Sequence, residues 1–482
     1  MRTNKAVHLY IFIISLLFCI ITGCKNYKAT VLQNNIAIPE TFTGNTDTTT
    51  VANLPLKQFF TDTCLLHLID TAVTANPDIQ SALQRVEIAG ANLQSSRSWL
   101  MPSIDFNATA GIEKYGDYTM NGVGNYDTNL SPNINSKQRI PGPSPDYFVG
   151  FRSSWEIDLW GKFHHQKAAS FTRFLASRSA YKLAVTSLTA QVATLYYQLL
   201  ALDNERQVIE KNITLQKNAL EIIRIQKLGG RATELAVQQF EAQLARTQSL
   251  RFGVAQQITE TENQLNFLTG KFTGTVRRDS SIHTLKLPGV LQAGIPTQLL
   301  LNRPDIRQAE LELAAMNADI KAVRKAFLPS LTISPYVGYN AFKTALLFDS
   351  GSLGYGLLGG ITAPIFNRKR LKADYARTMA EGKQALYHYQ KVILNGFMEV
   401  SNSIKGIENY NDYYSFKLQE VKSLKNAVDV AGDLFLVGRA NYLEIITAQR
   451  SVLDAELELA NTKKNIFLNA VNLYRATGGG WK

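Results

Sequence analysis

The sequence has little of what disulfide frameworks and metal centres are built from, with three cysteines and six histidines in 482 residues. Cys19 lies in an N-terminal segment that we expect to be removed, and we expect Cys24 to carry lipid, so Cys64 is left as a lone thiol. One thiol cannot form an internal disulfide, and no Cys/His spacing resembles a zinc site. We therefore interpret Cys64 as a small buried apolar residue and expect no metal or cofactor.

Signatures of catalysis and of nucleic-acid binding are also missing. There is no nucleotide-binding loop and no catalytic triad, so we predict no enzymatic activity. The net charge of +12 would suit a nucleic-acid partner. The charges, however, are spread along helical segments, and no known nucleic-acid module is present, which argues against that partner. His164 and His165 are adjacent and do not share a helix face, so we interpret them as a solvated helix start.

The only strongly apolar run is N-terminal and too short for a comfortable membrane span. A positive start, "MRTNK", precedes "AVHLYIFIISLLFCI" and then "ITGC", which predicts an export signal over residues 1–23. The string "ITGC" resembles the bacterial lipobox, in which Cys24 becomes the lipidated first residue; a plain secretory signal is the alternative. Residues 24–60 are Thr/Asn-rich and predict an extended tether. Because one lipid modification anchors weakly, we expect a second membrane attachment.

The chain carries one motif twice. "NPDIQSALQRVEIAGANLQSSRSWLMPS" (76–103) is followed by "RPDIRQAELELAAMNADIKAVRKAFLPS" (303–330). Both copies have apolar or small residues at alternating spacings of three and four, which predicts a coiled-coil seam. Pro102 and Pro329 then end the helices. The seam positions are Ile79, Ala82, Val86, Ala89, Leu93, Ser96 and Leu100, and in the second copy Ile306, Ala309, Leu313, Met316, Ile320, Val323 and Phe327.

Four segments after these prolines alternate between apolar and polar residues, two in each half of the chain. Phe106 and Phe151 belong to the apolar side in the first half, and Val337 belongs to it in the second. Strands of about ten residues with one apolar face are typical of transmembrane β-strands, although one strand alone would favour a soluble half-buried sheet. Four strands cannot close a barrel and lipid tolerates no open edge, so several subunits in cyclic symmetry are predicted.

Proline is absent from Lys162 to Leu228, which predicts a helix of about 100 Å. Turns at "LGGRA" and "VGRA" then begin return segments, and aligning Gly230 with Gly438 brings Gly270 onto Gly478 without a gap. We predict a first repeat over 61–270, a linker over 271–300 and a second repeat over 301–478. In each repeat a helix precedes a β-hairpin (about 102–161 and 329–366) and a long helical hairpin (about 162–270 and 367–478). Polar interruptions of the seams would suit a water-filled conduit.

These pieces together resemble the TolC-like outer-membrane efflux proteins, in particular the lipoprotein branch that serves resistance-nodulation-division pumps. The matching strings include "ITGC", "WEIDLWGK", "APIFNRKRL", "VGRANYLEIITAQRSVLDAELEL" and, most discriminating, "GIPTQLLLNRPDIRQAELEL". The resemblance covers essentially the whole mature chain. It implies a membrane α+β fold: a homotrimer whose four strands per chain form a twelve-stranded outer-membrane β-barrel, continuous with a long α-helical coiled-coil barrel in the periplasm.

The function that the resemblance implies is the exit duct of a tripartite pump in the outer membrane of a Gram-negative bacterium. The duct would passively conduct drugs or other small toxic compounds. The implied partners are a periplasmic adaptor, an inner-membrane resistance-nodulation-division transporter and outer-membrane lipid. One-step protein secretion and heavy-metal cation efflux are the alternatives within this fold, and a coiled-coil surface protein or adhesin is the alternative from another class.

The resemblance also implies a periplasmic gate at the tip of the second helical hairpin. Leu443 matches a hydrophobic constriction, and Glu444 matches an acidic position. Thr447 falls where the family usually has Asp, and Arg450 where a basic residue can tie neighbouring helices. Glu444 is thus the candidate for cation selection, against the alternative of a solvated tip residue. The tips expected to dock the adaptor are Gly229, Gly230 and Arg231 in the first hairpin and Gly438, Arg439 and Ala440 in the second.

Overall fold

A computed structural model of the chain describes residues 32–34, 36–37, 39–42, 50–51, 54–279, 281–285, 287, 293–297, 302–366 and 368–481. The predicted signal segment, Cys24, and most of the predicted tether lie outside these residues, as does part of the predicted linker. Among the described helices, none combines the length and apolar character that a membrane crossing requires.

The described helices and strands follow one order along the chain. They are α1 (Leu56–Phe59), α2 (Thr63–Ala75), α3 (Pro77–Ser98), β1 (Ser103–Glu113), α4 (Met120–Leu130), β2 (Ser144–Ile157), α5 (Lys162–Leu228), α6 (Glu234–Leu268), α7 (Pro304–Lys325), β3 (Ser330–Ala341), β4 (Leu353–Thr362), α8 (Arg368–Leu436) and α9 (Tyr442–Ala476). Short 3₁₀ turns lie at Thr344–Leu346 and Ser350–Ser352. The helix α5 spans the segment without proline, and α3 and α7 end before Pro102 and Pro329.

The chain divides into two compact units, which we name the strand unit and the helix unit. The strand unit consists of Ala91–Thr172, Leu313–Leu386 and the described part of Met1–Gln33. The helix unit consists of Asn34–Gly90, Arg173–Glu312 and Tyr387–Lys482, again where described. The long helices α5 and α8 each contribute residues to both units.

The strand unit contains one antiparallel sheet in the order β1-β2-β3-β4. Its register places Phe106 opposite Phe151, Phe151 opposite Val337, and Val337 opposite Tyr355, so these four side chains share one face. That face is not covered, because Phe106 is 64% exposed, Phe151 52% and Tyr355 82%. A soluble half-buried sheet would bury these rings in its own core, and no part of the chain that the structure describes does so.

The opposite face of the sheet contains an aromatic layer that simple alternation does not predict. Phe148 is only 4% exposed, and the guanidinium of Arg152 lies 4.5 Å from its ring centroid. Glycine is required beneath the rings, since a Cβ on Gly338 would lie 2.8 Å from Cζ of Phe148. Likewise, a Cβ on Gly356 would lie 2.4 Å from a ring carbon of Tyr336. The aromatic rings can therefore lie flat against this face.

The core of the helix unit is built around aromatic rings. Phe59 stacks on Tyr474 with ring centroids 4.1 Å apart, and Tyr197 stacks on Phe467 at 4.8 Å. The hydroxyl of the fully buried Tyr196 donates a hydrogen bond of 2.8 Å to Asp62, whose carboxylate also caps α2. These contacts tie the segment before α3 to α5 and α9.

Cys64 is half-buried, not buried as we expected from the sequence. Its Sγ lies 3.6 Å from Oδ2 of Asp279, to which the thiol donates. Burial and the neighbouring carboxylate of Asp279 raise the pKa of the thiol above its ordinary value. The expectation failed because the carboxylate partner lies more than 200 residues away and leaves no trace in the local sequence.

Four long helices end on the same backbone geometry. Gly230, Gly270, Gly438 and Gly478 have positive φ angles of 70°, 70°, 71° and 96°. In each case the next residue donates its N–H to the carbonyl five positions before it, as Arg231 does to Gln226 and Arg439 to Leu434. This is the glycine-terminated helix end known as the Schellman motif. The gap-free alignment of the two halves thus pairs glycines that end their helices with the same backbone conformation.

Candidate functional site

The tip of the second helical hairpin is held by backbone and side-chain caps. Gly438 ends α8 with a positive φ, and the side chain of Asn441 accepts hydrogen bonds from the N–H groups of Leu443 (2.9 Å) and Glu444 (3.2 Å). In the first hairpin, Thr233 caps α6 by accepting from the N–H of Ala236 at 3.2 Å. Both tips are therefore short, well-capped turns.

Ile445 shows which side of the first turns of α9 faces the other helices. This residue is 8% exposed and belongs to one apolar cluster with side chains of α5 and α6, namely Leu220, Ile223, Ala236, Val237 and Phe240. With Ile445 turned toward α5 and α6, the predicted gate residues Leu443, Glu444, Thr447 and Arg450 are all exposed. Leu443 is 47% exposed, a high value for leucine at the start of a helix that packs against two others.

The exposed stripe of α9 continues to an acidic residue, Asp454, which was not among the residues predicted from the sequence. Arg450 Nε lies 3.9 Å from Oδ2 of Asp454, one turn further along the same helix. Both side chains are 56% exposed, so this pair contributes little stability. Within the described chain, the acidic partner of Arg450 is Asp454. Thr447 and Asp454 are seven positions apart and therefore lie on the same face of α9. Asp454 thus places an acid on the face where Thr447 replaces the usual Asp, and the heptad spacing of the sequence could have predicted this.

A groove of about 420 Å³ lies between α5 and α8 next to the gate stripe. Apolar side chains such as Ile222 and Leu436 line it together with two acids, Asp429 and Asp433. A smaller groove of about 240 Å³ lies next to it, further from the tip, and is lined by Asn212, Lys425 and Glu456, among others. Helix pairs with such grooves can accept a further helix side by side.

The predicted docking residues at the tips are accessible. Gly229, Gly230, Arg231, Gly438 and Arg439 are exposed, and Ala440 is half-buried. Apolar neighbours accompany them on the surface: Leu228 is 88% exposed, Leu436 65% and Val437 68%. In the first tip Lys227 bonds to Glu234, and together with Gln238 it holds the pKa of that carboxyl below its ordinary value. The tips therefore present apolar and cationic groups on rigid turns.

The other end of the second hairpin contains a buried ionic cluster around Arg303, which we name the arginine clamp. Arg303 is 4% exposed; its guanidinium donates to both carboxylate oxygens of Asp305, to Glu399 Oε2 at 2.8 Å and to the carbonyl of Ala476 at 2.8 Å. Arg475 donates to the other oxygen of Glu399 at 3.1 Å. The clamp joins the start of α7, the middle of α8 and the end of α9.

The charges of the clamp stabilise one another. Burial alone would raise the pKa of Glu399, but the guanidinium groups of Arg303 and Arg475 hold it below its usual range. Burial likewise would lower the pKa of Arg303, while the carboxylates of Asp305 and Glu399 hold it above its ordinary value. The sequence flagged "RPDI" as distinctive without giving it a role, because Glu399 lies far away in the chain.

His164 and His165, for which a solvated helix start was predicted, lie in the first turn of α5. His164 is exposed, and its Nδ1 lies 2.6 Å from Oδ2 of Asp158, which also accepts from the N–H of His164. His165 is half-buried. The described residues contain no group of three or more His, Cys, Asp or Glu side chains arranged to hold a metal ion.

Comparisons with known proteins agree with this architecture. A family model described as "Outer membrane efflux protein" matches residues 68–271 and 295–479. The chain is 30% identical over 427 residues to the solvent efflux pump outer membrane protein SrpC of Pseudomonas putida, a match that covers 88% of this chain and 87% of SrpC. It is 26% identical over 435 residues to the cation efflux system protein CusC of Escherichia coli, covering 89% of each.

Among solved structures, the open state of the MtrE outer membrane channel of Neisseria gonorrhoeae has a similar fold. The TM-score is 0.80 at 24% identity, and the match covers 94% of this chain and 99% of MtrE.

Proposed function

The chain belongs to the outer membrane efflux protein family, and from that premise we propose that it forms the homotrimeric exit duct of a tripartite pump. In this proposal three chains contribute four strands each to a twelve-stranded barrel in the outer membrane. Their helical hairpins would form a periplasmic barrel that ends in the gate. The duct itself is passive and has no enzymatic activity.

The single observation that carries the proposal is the uncovered apolar face of the sheet. The strands have 11, 14, 12 and 10 residues, and about nine to eleven tilted residues suffice to cross a bilayer. Within the described chain, β1 and β4 each have one edge without a strand partner. An open edge is costly in lipid, and pairing β4 of one copy with β1 of the next removes every edge.

The gate in this proposal is the exposed stripe of α9. Leu443 would form the hydrophobic constriction, while Glu444 and Asp454 would supply negative rings around the three-fold axis that favour cations. Thr447 and Arg450 lie between these acids. The tips at Gly229–Gly230–Arg231 and Gly438–Arg439–Ala440, together with the grooves between α5 and α8, would dock a periplasmic adaptor. A resistance-nodulation-division transporter in the inner membrane would supply the energy.

Two further parts of the proposal concern the anchor and the cargo. Cys24 would carry the lipid that attaches the N-terminus to the outer membrane. The cargo would be drugs or other small toxic compounds, in line with the solvent efflux role in the name of SrpC.

The test is efflux in a Gram-negative host that lacks its own exit duct. The chain is expressed together with an adaptor and a resistance-nodulation-division pump of that host, and accumulation of a fluorescent dye and growth on solvents, drugs and copper or silver salts are measured. We expect lower dye accumulation and growth on drugs or solvents. Protection against the metal salts alone would replace the cargo by heavy-metal cations. Unchanged accumulation, with a heat-resistant trimer present in the outer membrane, would overturn the proposal.

A further inference from the structure

The strand unit collects positive charge where its helices meet the sheet. The start of α8 has four basic residues within five positions, Arg368, Lys369, Arg370 and Lys372, and all four are exposed. None of them forms a hydrogen bond or ion pair with any residue that the structure describes. No acidic residue lies in the first turn of α8 to balance them. We name these four residues the basic patch.

Local helix energetics disfavour the basic patch. The first turn of a helix bears a partial positive charge, so cations there are destabilising and anions are favoured. Some other exposed basic residues of α8 have an acid one turn away, as Arg377 has Glu381 and Lys405 has Glu408. Four unpaired cations at a helix start therefore lack a compensating negative charge within the described chain.

The register of the sheet brings the strand ends nearest the patch into one row. Ser103 lies opposite Ser154, Ile157 opposite Leu331, and Ser330 opposite Thr362. The beginning of β1, the end of β2, the beginning of β3 and the end of β4 therefore lie side by side. The basic patch begins at Arg368, six positions after β4 ends at Thr362, and so it follows the end of the sheet at which these four strand ends lie.

Exposed apolar and aromatic side chains mark the same level. Phe366 is 99% exposed and Ile365 67%, immediately before the patch, while Trp99, Trp160 and Met101 are 46%, 45% and 70% exposed at the other strand ends. Trp160 donates through Nε1 to the carbonyl of Pro329 at 2.6 Å, which fixes its ring beside the start of β3. Aromatic rings of this kind are enriched at the boundary between hydrocarbon and headgroups.

Further cations approach from α7. Lys321 is exposed, and Arg324 and Lys325 are half-buried at the end of that helix. Lys321 and Lys325 lie close enough to α5 to act on His165: burial lowers the pKa of this imidazole, and the positive charges of these two lysines lower it further. The strand ends thus carry a positive potential that extends beyond the patch itself.

We propose that the basic patch binds the phosphate groups of anionic phospholipids in the membrane leaflet at the helical end of the sheet. The inference rests on the proposed function, in which that leaflet is the periplasmic one. Clusters of four or more Lys and Arg next to a membrane-spanning segment attract anionic lipid. A lipid phosphate at this site offsets both the unpaired cations and the first-turn charge of α8. The exposed Ile365 and Phe366 contact the acyl region of the same lipid.

The experiment uses the full-length trimer, purified and stripped of lipid in detergent. Phosphatidylglycerol or the neutral phosphatidylcholine is added, and the bound lipid is counted by native mass spectrometry alongside the Tm. The neutralised variant is R368Q/K369Q/R370Q/K372Q. A charge-preserving variant, R368K/R370K, and a remote variant with four exposed lysines of the helix unit changed, K217Q/K271Q/K391Q/K422Q, are the matched controls. The half-neutralised R368Q/K369Q provides a milder change in case the fourfold variant does not assemble.

Wild type and both controls are expected to retain phosphatidylglycerol over phosphatidylcholine, and the neutralised variant to bind it at least about tenfold more weakly. The half-neutralised variant should fall between them. Equal retention of the two lipids by wild type, or an equal loss in the remote variant, would overturn the inference. A rise in Tm with inorganic phosphate equal to the rise with phosphatidylglycerol would indicate a free-anion site and would also overturn the inference. Loss of binding to isolated peptidoglycan in the neutralised variant only would overturn it as well.

Planar-bilayer conductance separates this inference from the proposed function. All variants that assemble are expected to conduct as wild type does, because the patch lies on the lipid side in this account. A wild-type trimer that binds phosphatidylglycerol but never conducts would contradict the duct. A trimer that conducts without any lipid preference would contradict only the patch.

Discussion

The two repeats hold the end of their return helix at equivalent positions but by different chemistry. In the first repeat, Asn76 donates from Nδ2 to the carbonyl of Leu268 at 3.0 Å. In the second repeat, Arg303 donates from Nη1 to the carbonyl of Ala476 at 2.8 Å. The alignment that pairs Gly270 with Gly478 also pairs Leu268 with Ala476, so an amide and a guanidinium perform one task.

The difference lies in how much each anchor connects. Asn76 also caps α3, accepting from the N–H groups of Asp78 and Ile79, and its contacts stay neutral. Arg303 reaches Glu399 in the middle of α8 as well, so the second hairpin is tied at three helices by buried charge. At 1.5 Å per residue, the 35 residues of α9 place the tip about 50 Å from the clamp. The hairpin proposed to move at its tip is the one with the firmer base.

The largest effect is expected from Arg303→Gln, which breaks the second anchor. Removing one partner of a buried ion pair leaves a carboxylate uncompensated and costs about 3–5 kcal/mol. We therefore expect a marked loss in the stability of the trimer in denaturant. The double variant R303Q/E399Q should recover part of that loss. An effect no larger than that of an exposed substitution would remove the distinction between the anchors.

Leu443→Ser tests whether the two tips differ in function. Leu443 is the counterpart of Leu235 in the first repeat, and both are exposed, at 47% and 59%. If α9 lines the gate, serine at 443 should raise the basal conductance of closed channels severalfold, while Leu235→Ser should leave it near the wild-type value. Bilayer recordings of both variants make the comparison. Equal leakage, or none from either, would contradict the assigned constriction.

Asn76→Ala measures the neutral anchor on the same scale. It removes a helix cap and one buried hydrogen bond, for which about 1–2 kcal/mol is expected. Denaturant unfolding of Asn76→Ala and of Arg303→Gln under the same condition compares the losses in the free energy of unfolding directly. A cost for Asn76→Ala that matched or exceeded the arginine variant would reverse the ranking of the two repeats.

Acid should weaken the second anchor selectively. Because the folded-state pKa of Glu399 is depressed, its stabilisation is present above the ordinary carboxyl pKa and is lost as the pH falls through the depressed folded value. Asn76 does not titrate. We expect a smaller acid-induced loss of stability in Glu399→Gln than in wild type when unfolding at pH 7 and near pH 4 is compared, and an unchanged acid response in Asn76→Ala. Identical pH profiles for wild type and Glu399→Gln would count against the ionic clamp.

The smallest effect is expected from Glu444→Gln. The alignment places Ala236 at the corresponding position of the first tip, so only the second tip carries this acid. Neutralising it should reduce the preference for cations in reversal-potential measurements by about a factor of two, because Asp454 remains on the same face. Asp454→Asn is the matched variant, and the double variant E444Q/D454N should reduce the cation preference more than either single change. If neither substitution changed the cation selectivity, Glu444 would be a solvated tip residue without a role in selection.

The sequence was sufficient for the long elements and their pairing. Alternation predicted the strands, and the absence of proline predicted α5. Glycines at 230 and 438 marked the two turns, because only a residue without a Cβ readily takes a positive φ. These features depend on local chemistry, and the local sequence records them.

What the sequence could not supply depends on contacts between distant segments. The partner of Arg303 is Glu399, and Ile445 shows which side of the first turns of α9 faces the other helices. Phe148 lies on the face that alternation reserves for polar residues, where opposing glycines make room for its ring. The basic residues were interpreted as spread along helices, although Arg368, Lys369, Arg370 and Lys372 lie within five positions. The structure adds that all four are exposed and have no partner among the described residues. The gate assignments of Leu443, Glu444, Thr447 and Arg450 stay predictions.

The claim on which the duct depends is that the apolar face of the sheet contacts lipid. Its most direct test is channel insertion by a variant with Phe106→Asp and Phe151→Asp, compared with Asn107→Asp on the opposite face of β1. We expect wild type and Asn107→Asp to insert into planar bilayers as conducting trimers, and the double variant to remain in the aqueous phase. Equal insertion of all three proteins would contradict the account.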